Sequence, residues 1–303
     1  MGKTRVALVK GENRWENIKQ ALELVREDIA AKVKGNVLIK PNFLSVNRQL
    51  ASTHVDAVKG VLDIISQLSF DTLVVAEGAN GGEPMEAFKN FGYYPLEKAY
   101  NVSLIDLSLE DDREEIKLYD LIEREVPAMV SKRVIQSDCR ISVAIPKTHD
   151  TAIVTLTLKN MMGSLVRSDR GKMHGYAADL ERDFLKSVRV MPKNLIALGK
   201  HVAPHVGVID GFLGMEGQGP GGGDEVPLGI AIASADFLAA DAVAAKVMGF
   251  EPLEIGYIYY ANELSMGVGD LSKIEILGAR IEDVQRKFKP HSSYPTQKLW
   301  KIN

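Results

Sequence analysis

At 303 residues, 46% of them hydrophobic, the chain can bury roughly three quarters of its unfolded surface, so a fold with a pocket needs neither disulfides nor a metal to hold it. Its 37 Lys and Arg against 40 Asp and Glu leave a formal net charge of −3, which provides no electrostatic footprint for nucleic acid or an anionic membrane and points to a small molecule or a protein as partner. A single cysteine, Cys139, excludes an internal disulfide framework and a four-thiolate iron–sulfur site made by this chain alone, and makes a reducing cytoplasm the expected compartment.

The opening MGKTRVALVK has no apolar run of signal-peptide length, and no later run of about 18 apolar residues could span a bilayer, so neither export nor insertion is expected. RVALVK reads as a first strand. It is followed by a helical stripe of Ile18, Leu22, Val25 and Ile29, then by NVLIK as a second strand. Val58, Val61, Leu62 and Ile65 mark another helix, and DTLVVAEG, VSLIDL and RISVAIP are further strands. Runs apolar throughout suit strands covered by helices on both faces, which predicts an α/β fold with a mainly parallel sheet and a polar cleft at the strand carboxyl ends.

Residues 151–201 change texture, with a Met161-Met162-Gly163 turn, the charged loop SDRGKMHG and the helical DLERDFLKSVR, and read as an excursion over the cleft. In VTLTLKNMMG an extended backbone would put Thr155, Thr157 and Lys159 on one face. HVGVIDG and LGIAIAS restore the strand signal. ADFLAADAVAAKVMG is a helix with Asp236 as N-cap and Gly249 just past its end, and its Asp241 is either a carboxylate paired on the helix face or part of the cleft. Residues 250–303 form a C-terminal extension with one strand, KIEILG, and a basic tail, RKFKPHSSYPTQKLW, expected to be solvated. No linker divides residues 1–303, which are read as a single unit.

The residues after each strand are polar. Lys40 and Lys147 stand where apolar strands end; each is either a lysine whose stem lies along apolar surface or an ammonium aimed at an anion. His54, His149 and His174 are each a cap or surface group alone and an acid–base set if they converge. Three histidines with Asp210 or Glu216 could also ligate a divalent ion, but none has the close spacing of a metal motif, and no metal is assigned. The segment MEGQGPGGG, including Glu216, Gly217 and Gly219, can offer bare backbone N–H groups to a carboxylate or phosphate, or be a plain long turn. With the SDRGKMHG loop it is expected to be mobile until a ligand or a crossing contact orders it.

The ordered set LIKPNF, STH, AEG, IPKTH, TLTLKNMMG, KMHG, VIDGFLGMEGQGP and SADFLAADAVA resembles the family named domain of unknown function 362, over residues 37–249. The resemblance maps the family's repeated polar positions onto Lys40, Asn42, His54, Glu77, Lys147, His149, Lys159, Asn160, His174, Asp210, Glu216 and Asp241. Many relatives carry ferredoxin-type cysteine motifs; this chain lacks them, so a cluster role is not carried over. The reading is an enzyme acting on a small anionic metabolite by acid–base, redox or isomerisation chemistry. Lys147, His149, Lys159 and His174 are its candidate catalytic groups; Lys40, Asn42, His54, Glu77, Asn160, Asp210, Glu216, Gly217 and Gly219 are its candidate binding groups. No cofactor is named. The alternatives are an electron-transfer or assembly partner of a separate ferredoxin-like protein and a non-catalytic metabolite-binding protein, and self-association stays open.

Overall fold

The computed structural model describes residues 2–301. Its twelve strands are β1 (Thr4–Lys10), β2 (Asn36–Lys40), β3 (Thr72–Glu77), β4 (Ser103–Asp106), β5 (Arg113–Tyr119), β6 (Glu125–Ser131), β7 (Cys139–Ala144), β8 (Lys147–His149), β9 (Ile153–Thr155), β10 (Val206–Glu216), β11 (Asp224–Ser234) and β12 (Ile274–Gly278). The main sheet runs β12-β1-β11-β10-β7-β2-β3-β4. Along that path β11 is antiparallel to both its neighbours and every other pair is parallel. The strand runs expected from sequence fall at these positions, and the sheet is mostly parallel.

Alternation within the strands explains the two layers of core. Val37 and Ile39 of β2, Ala7 and Val9 of β1, and Ile141 and Val143 of β7 pack on one face with helices Arg14–Leu24 and Val55–Ile65. Leu38, Val6, Leu8 and Ala144 pack on the other, with helices Phe184–Val202 and Phe237–Val247. Helix Phe237–Val247 is capped by the Asp236 carboxylate, which accepts from Leu238 N and Ala239 N, and the chain leaves it through Gly249 at a φ of +88°. None of the described helices is long and apolar enough to cross a membrane.

Four expectations are corrected. The hairpin β5–β6 forms a separate two-stranded sheet that the sequence reading passed over. The stripe from Ile18 to Ile29 is two helices, Arg14–Leu24 and Arg26–Ala30, broken at Val25. Of Thr155, Thr157 and Lys159 only Thr155 is in a strand; Thr157–Asn160 is one helical turn, so the three do not share a strand face. The basic tail is not solvated: Phe288 and Trp300 are buried, Gln297 is 1% exposed, and the segment packs against β8 and β10.

Candidate active site

The parallel strands end at a polar network. Lys40 closes β2 and Glu77 closes β3, and because those strands are paired, the Lys40 ammonium meets Glu77 Oε1 at 2.7 Å. Burial pulls the Lys40 pKa down and the carboxylate opposes it. Asn160 donates to the Lys40 carbonyl at 3.1 Å, and its Oδ1 accepts from Asn42 Nδ2 at 3.0 Å. Asn42 Oδ1 in turn accepts from the Lys147 ammonium at 2.6 Å. The Met161–Ser164 turn presses on this network through Gly163, where an added Cβ would lie 2.5 Å from the Lys40 nitrogen; glycine is required by the close approach.

In front of the network lies a cavity of about 330 Å³, lined among others by Asn42, Glu77, Lys147, His149, Asp150, Thr155, Lys159, Asn160, Arg170 and His174. A larger hollow of about 710 Å³, between β5 and helix Phe184–Val202, has none of these groups and no buried titrating side chain, so the smaller cavity is taken as the site.

Lys159 sits on the Thr157–Asn160 turn, whose N-terminus is held by Asp241: that carboxylate accepts from Thr157 N at 2.8 Å, Thr157 Oγ1 at 2.6 Å and Leu158 N at 3.2 Å. It also accepts from Tyr257 OH at 3.0 Å, and burial raises its pKa to about 6. Asp241 therefore neither pairs with a base nor enters the cleft; it anchors the turn that carries Lys159 and Asn160. The Lys159 ammonium, 6% exposed as a residue, has one side-chain contact among the described residues, the Met162 sulfur at 3.2 Å. A thioether is a weak acceptor and cannot neutralise a cation. Burial pulls Lys159 down to about 8, with Asp150 opposing. Lys147 falls to about 7 through burial and the nearby charges of Lys159 and Lys40.

The two histidines differ in tautomer. His149 Nδ1 accepts from the backbone N–H of Thr151 at 3.0 Å and of Ala152 at 3.2 Å. Asp150 Oδ1 also lies 2.9 Å from that nitrogen, which would suit a protonated Nδ1. The two buried amides need an acceptor, whereas the half-exposed Asp150 already accepts from the Thr151 hydroxyl at 2.9 Å, so the lone pair belongs on Nδ1 and the proton on Nε2. Because the Thr151 hydroxyl proton goes to Asp150, its oxygen can only accept from His174 Nδ1, 3.4 Å away. His174 thus carries its proton on Nδ1 and a lone pair on Nε2. Burial, with the Lys159 charge, lowers His149 to about 3 and His174 to about 4, so both are neutral at pH 7. Their rings lie 6.2 Å apart and 24° from parallel. One presents a donor and the other an acceptor.

The remaining candidates lie elsewhere. Lys40 is fully buried behind Glu77 and does not line the cavity. His54 caps helix Val55–Ile65 through Nδ1, and with Asp210 and Arg14 it borders a separate cavity of about 170 Å³; Arg14 holds Asp210 at 3.1 Å. Glu216 accepts from Lys289 N at 2.8 Å. The amides expected to meet an anion are occupied: Gly217 N donates to Lys289 O at 2.7 Å and Gly219 N to Gly217 O at 2.9 Å. Crossing contacts hold both loops: Arg48 donates to the carbonyls of Gly221 and Gly223, and Asp169 accepts from Met129 N at 2.8 Å. Among the described residues no set of three His, Cys, Asp or Glu is placed to hold a metal ion.

Four contributors were missed. Asp150 directly follows His149 and was legible as a carboxylate beside it. Arg170 binds the loops after β3 and Met161 together, donating to the carbonyls of Gly78, Ala79, Gly163 and Leu165. In the tail, Gln297 donates to the His149 carbonyl at 2.6 Å and Ser293 to that of Asp150 at 2.6 Å, buttressing the turn that bears both groups.

An anion held by these two lysines would be held in a pH-dependent way. Only the ammonium forms attract an anion, and they are lost as pH rises through about 7 for Lys147 and about 8 for Lys159. Propionate affinity measured by calorimetry is expected to be highest below pH 7 and to fall by about tenfold per unit for each proton taken up on binding. Affinity that is flat from pH 6 to 9 would show that neither ammonium meets the anion.

The chain is similar to a thylakoid-associated protein of Synechocystis sp., at 24% identity over 221 residues that make up 72% of this chain and 64% of that protein. It thus spans less than two thirds of that relative's length. Its fold is similar to that of the lactate racemase apoprotein from Thermoanaerobacterium thermosaccharolyticum, with a TM-score of 0.51 and 14% identity over 82% of this chain and 57% of that one, a likeness that bears on the fold alone. The network residues Lys40, Asn42, Glu77, Lys147, Lys159 and Asn160, together with His149 and His174, all lie within residues 37–246, which match the family model, and the chain belongs to the family described as domain of unknown function (DUF362).

Proposed function

We propose that the chain is an enzyme that binds a small carboxylate in the 330 Å³ cavity and moves a proton on the carbon beside it, with His174 Nε2 taking and returning the proton and the His149 Nε2–H donating a hydrogen bond to the charge that develops. The observation that carries this reading is Lys159, a buried ammonium whose one side-chain contact is a thioether. Asp150 acts on this ammonium only through space, a buried cation without a contacting anion is costly, and a bound carboxylate supplies the contact. Lys147 and the Thr155 hydroxyl, which has no partner among the described residues, line the same space. Charge developing on the carboxylate as the neighbouring carbon loses its proton is offset by the same two lysines. The bound anion also raises His174 from about 4 toward the pH at which acid–base catalysis is efficient.

A protein of similar fold is called a lactate racemase, and lactate is a small carboxylate. The lone buried Cys139 suits a reducing cytoplasm, which belongs to the same reading. The test is proton NMR in D2O, following deuterium at the carbon next to the carboxylate in a panel of small acids. Catalysed exchange is expected, slowed about 100-fold or more in His149→Gln and in His174→Gln while binding changes little. Binding with no exchange of any acid would leave a non-catalytic binding protein instead.

A further inference from the structure

The cavity also holds an acceptor with nothing to accept. Glu77 is 2% exposed and lines the cavity; its Oε1 takes the Lys40 ammonium at 2.7 Å and Phe43 N at 3.0 Å, while its Oε2 has no hydrogen-bond partner among the described residues. Oε2 faces the bare Cα of Gly163, another lining residue, where an added Cβ would come within 3.1 Å of it. A buried carboxylate oxygen without a donor is unfavourable, and a donor brought by a ligand removes that cost.

The charges divide the cavity. Lys159 acts on His149, His174 and Lys147, whereas Glu77 acts on Lys40, Lys147 and Arg170, so Lys147 lies between a cation-and-histidine side and a carboxylate side. A plain carboxylate satisfies the first side and leaves Glu77 Oε2 bare. Between the two common donors, an ammonium would meet Lys40, Lys147 and Arg170 around Glu77 and be repelled, whereas a neutral hydroxyl would not.

We infer that the ligand is a small hydroxycarboxylate, its carboxylate on Lys159 and Lys147 and its hydroxyl donating to Glu77 Oε2. This rests on the proposed carboxylate site and adds the hydroxyl to it. A site built to hydrogen-bond a hydroxyl rejects the analogue without one, because the buried acceptor is then left unpaired.

The test is calorimetric titration of the full chain with three probes of matched carbon skeleton: lactate in both enantiomers, propionate and alanine. Lactate in at least one enantiomer is expected to bind ten-fold or more tighter than propionate and than alanine. In Glu77→Gln the preference over propionate should shrink to about two-fold or less. The comparison in the wild-type protein stands even where that variant does not fold. Propionate binding as tightly as lactate overturns the hydroxyl while leaving the carboxylate site intact. Alanine binding tightest overturns the choice of hydroxyl over ammonium. If none of the three binds, the carboxylate site itself fails and the inference with it.

Discussion

Replacing Lys159 by Met is expected to weaken propionate or lactate binding by about 100-fold and at the same time to raise the melting temperature. The two effects have one cause. In the folded protein the ammonium is held at about 8 against 10.5, a difference of about 3 kcal/mol against the charged form at neutral pH. Methionine has a similar shape and no charge, and swaps of a buried ion for an apolar group of like volume are often neutral or stabilising by about 1–4 kcal/mol. In a chain of this size the stabilising end of that range is a gain of about 2–6 °C. The sign of the pH dependence follows: the folded value is depressed, so the unfolded state binds more protons between about 8 and 10.5, and wild-type stability rises with pH across that window. The stability advantage of Lys159→Met should accordingly shrink between pH 7 and pH 10. Thermal melts at those two pH values, with binding measured at pH 7, check both halves. A variant that binds normally removes Lys159 from the site.

Asp241→Ala is expected to have the largest effect on stability, a loss of about 3–5 kcal/mol. The carboxylate accepts four hydrogen bonds in a fully buried place, and its removal leaves two backbone N–H groups and Tyr257 without an acceptor and the Thr157 hydroxyl with only the Phe237 carbonyl at 3.4 Å. Asp241→Asn keeps one oxygen and should recover part of the loss. Burial raises the wild-type pKa to about 6 from 3.8, so the folded state holds the extra proton in that range and this group's contribution falls as pH rises through about 6. The asparagine variant lacks that slope. Denaturant titrations at pH 4.5 and pH 7 measure it, and equal wild-type and asparagine slopes would count against the assignment. Since Asp241 anchors the turn that carries Lys159 and Asn160, a folded variant should also bind carboxylates more weakly.

The strands and the helix Phe237–Val247 were legible because their signals are local. Continuous apolar runs such as NVLIK need cover on both faces, and Asp236 and Gly249 end the helix by capping and by a left-handed turn that glycine takes without strain. The polar residues after β2, β3 and β7 were legible by position, at the ends where parallel sheets present ligands. Which of them share a cavity was not, because pairing depends on contacts distant in sequence. The sequence puts Asp210 and Lys147 alike at the ends of apolar runs, yet Asp210 lies inside β10 and Arg14, 196 residues away, takes it into another pocket. The Thr157–Asn160 turn hid behind two β-branched residues because its stabilising carboxylate comes from residue 241. Gln297 and Ser293 looked like an ordinary polar tail, and only their bonds to the His149 and Asp150 carbonyls give them a role.

The place of β1 has a practical consequence for anyone dividing this chain. The first strand is not at the rim of the sheet: it lies between β11 and β12, joined to one antiparallel and to the other parallel. A fragment cut to the matched residues 37–246 would therefore keep β11 but discard the strand that covers it. Ala231 and Ala233 would be uncovered beside a row of free N–H and C=O groups from Ile230 to Ala233, an open edge ready to pair with another copy. The borders within which relatives are recognised and the borders within which the sheet keeps its edge covered are, for this molecule, different borders.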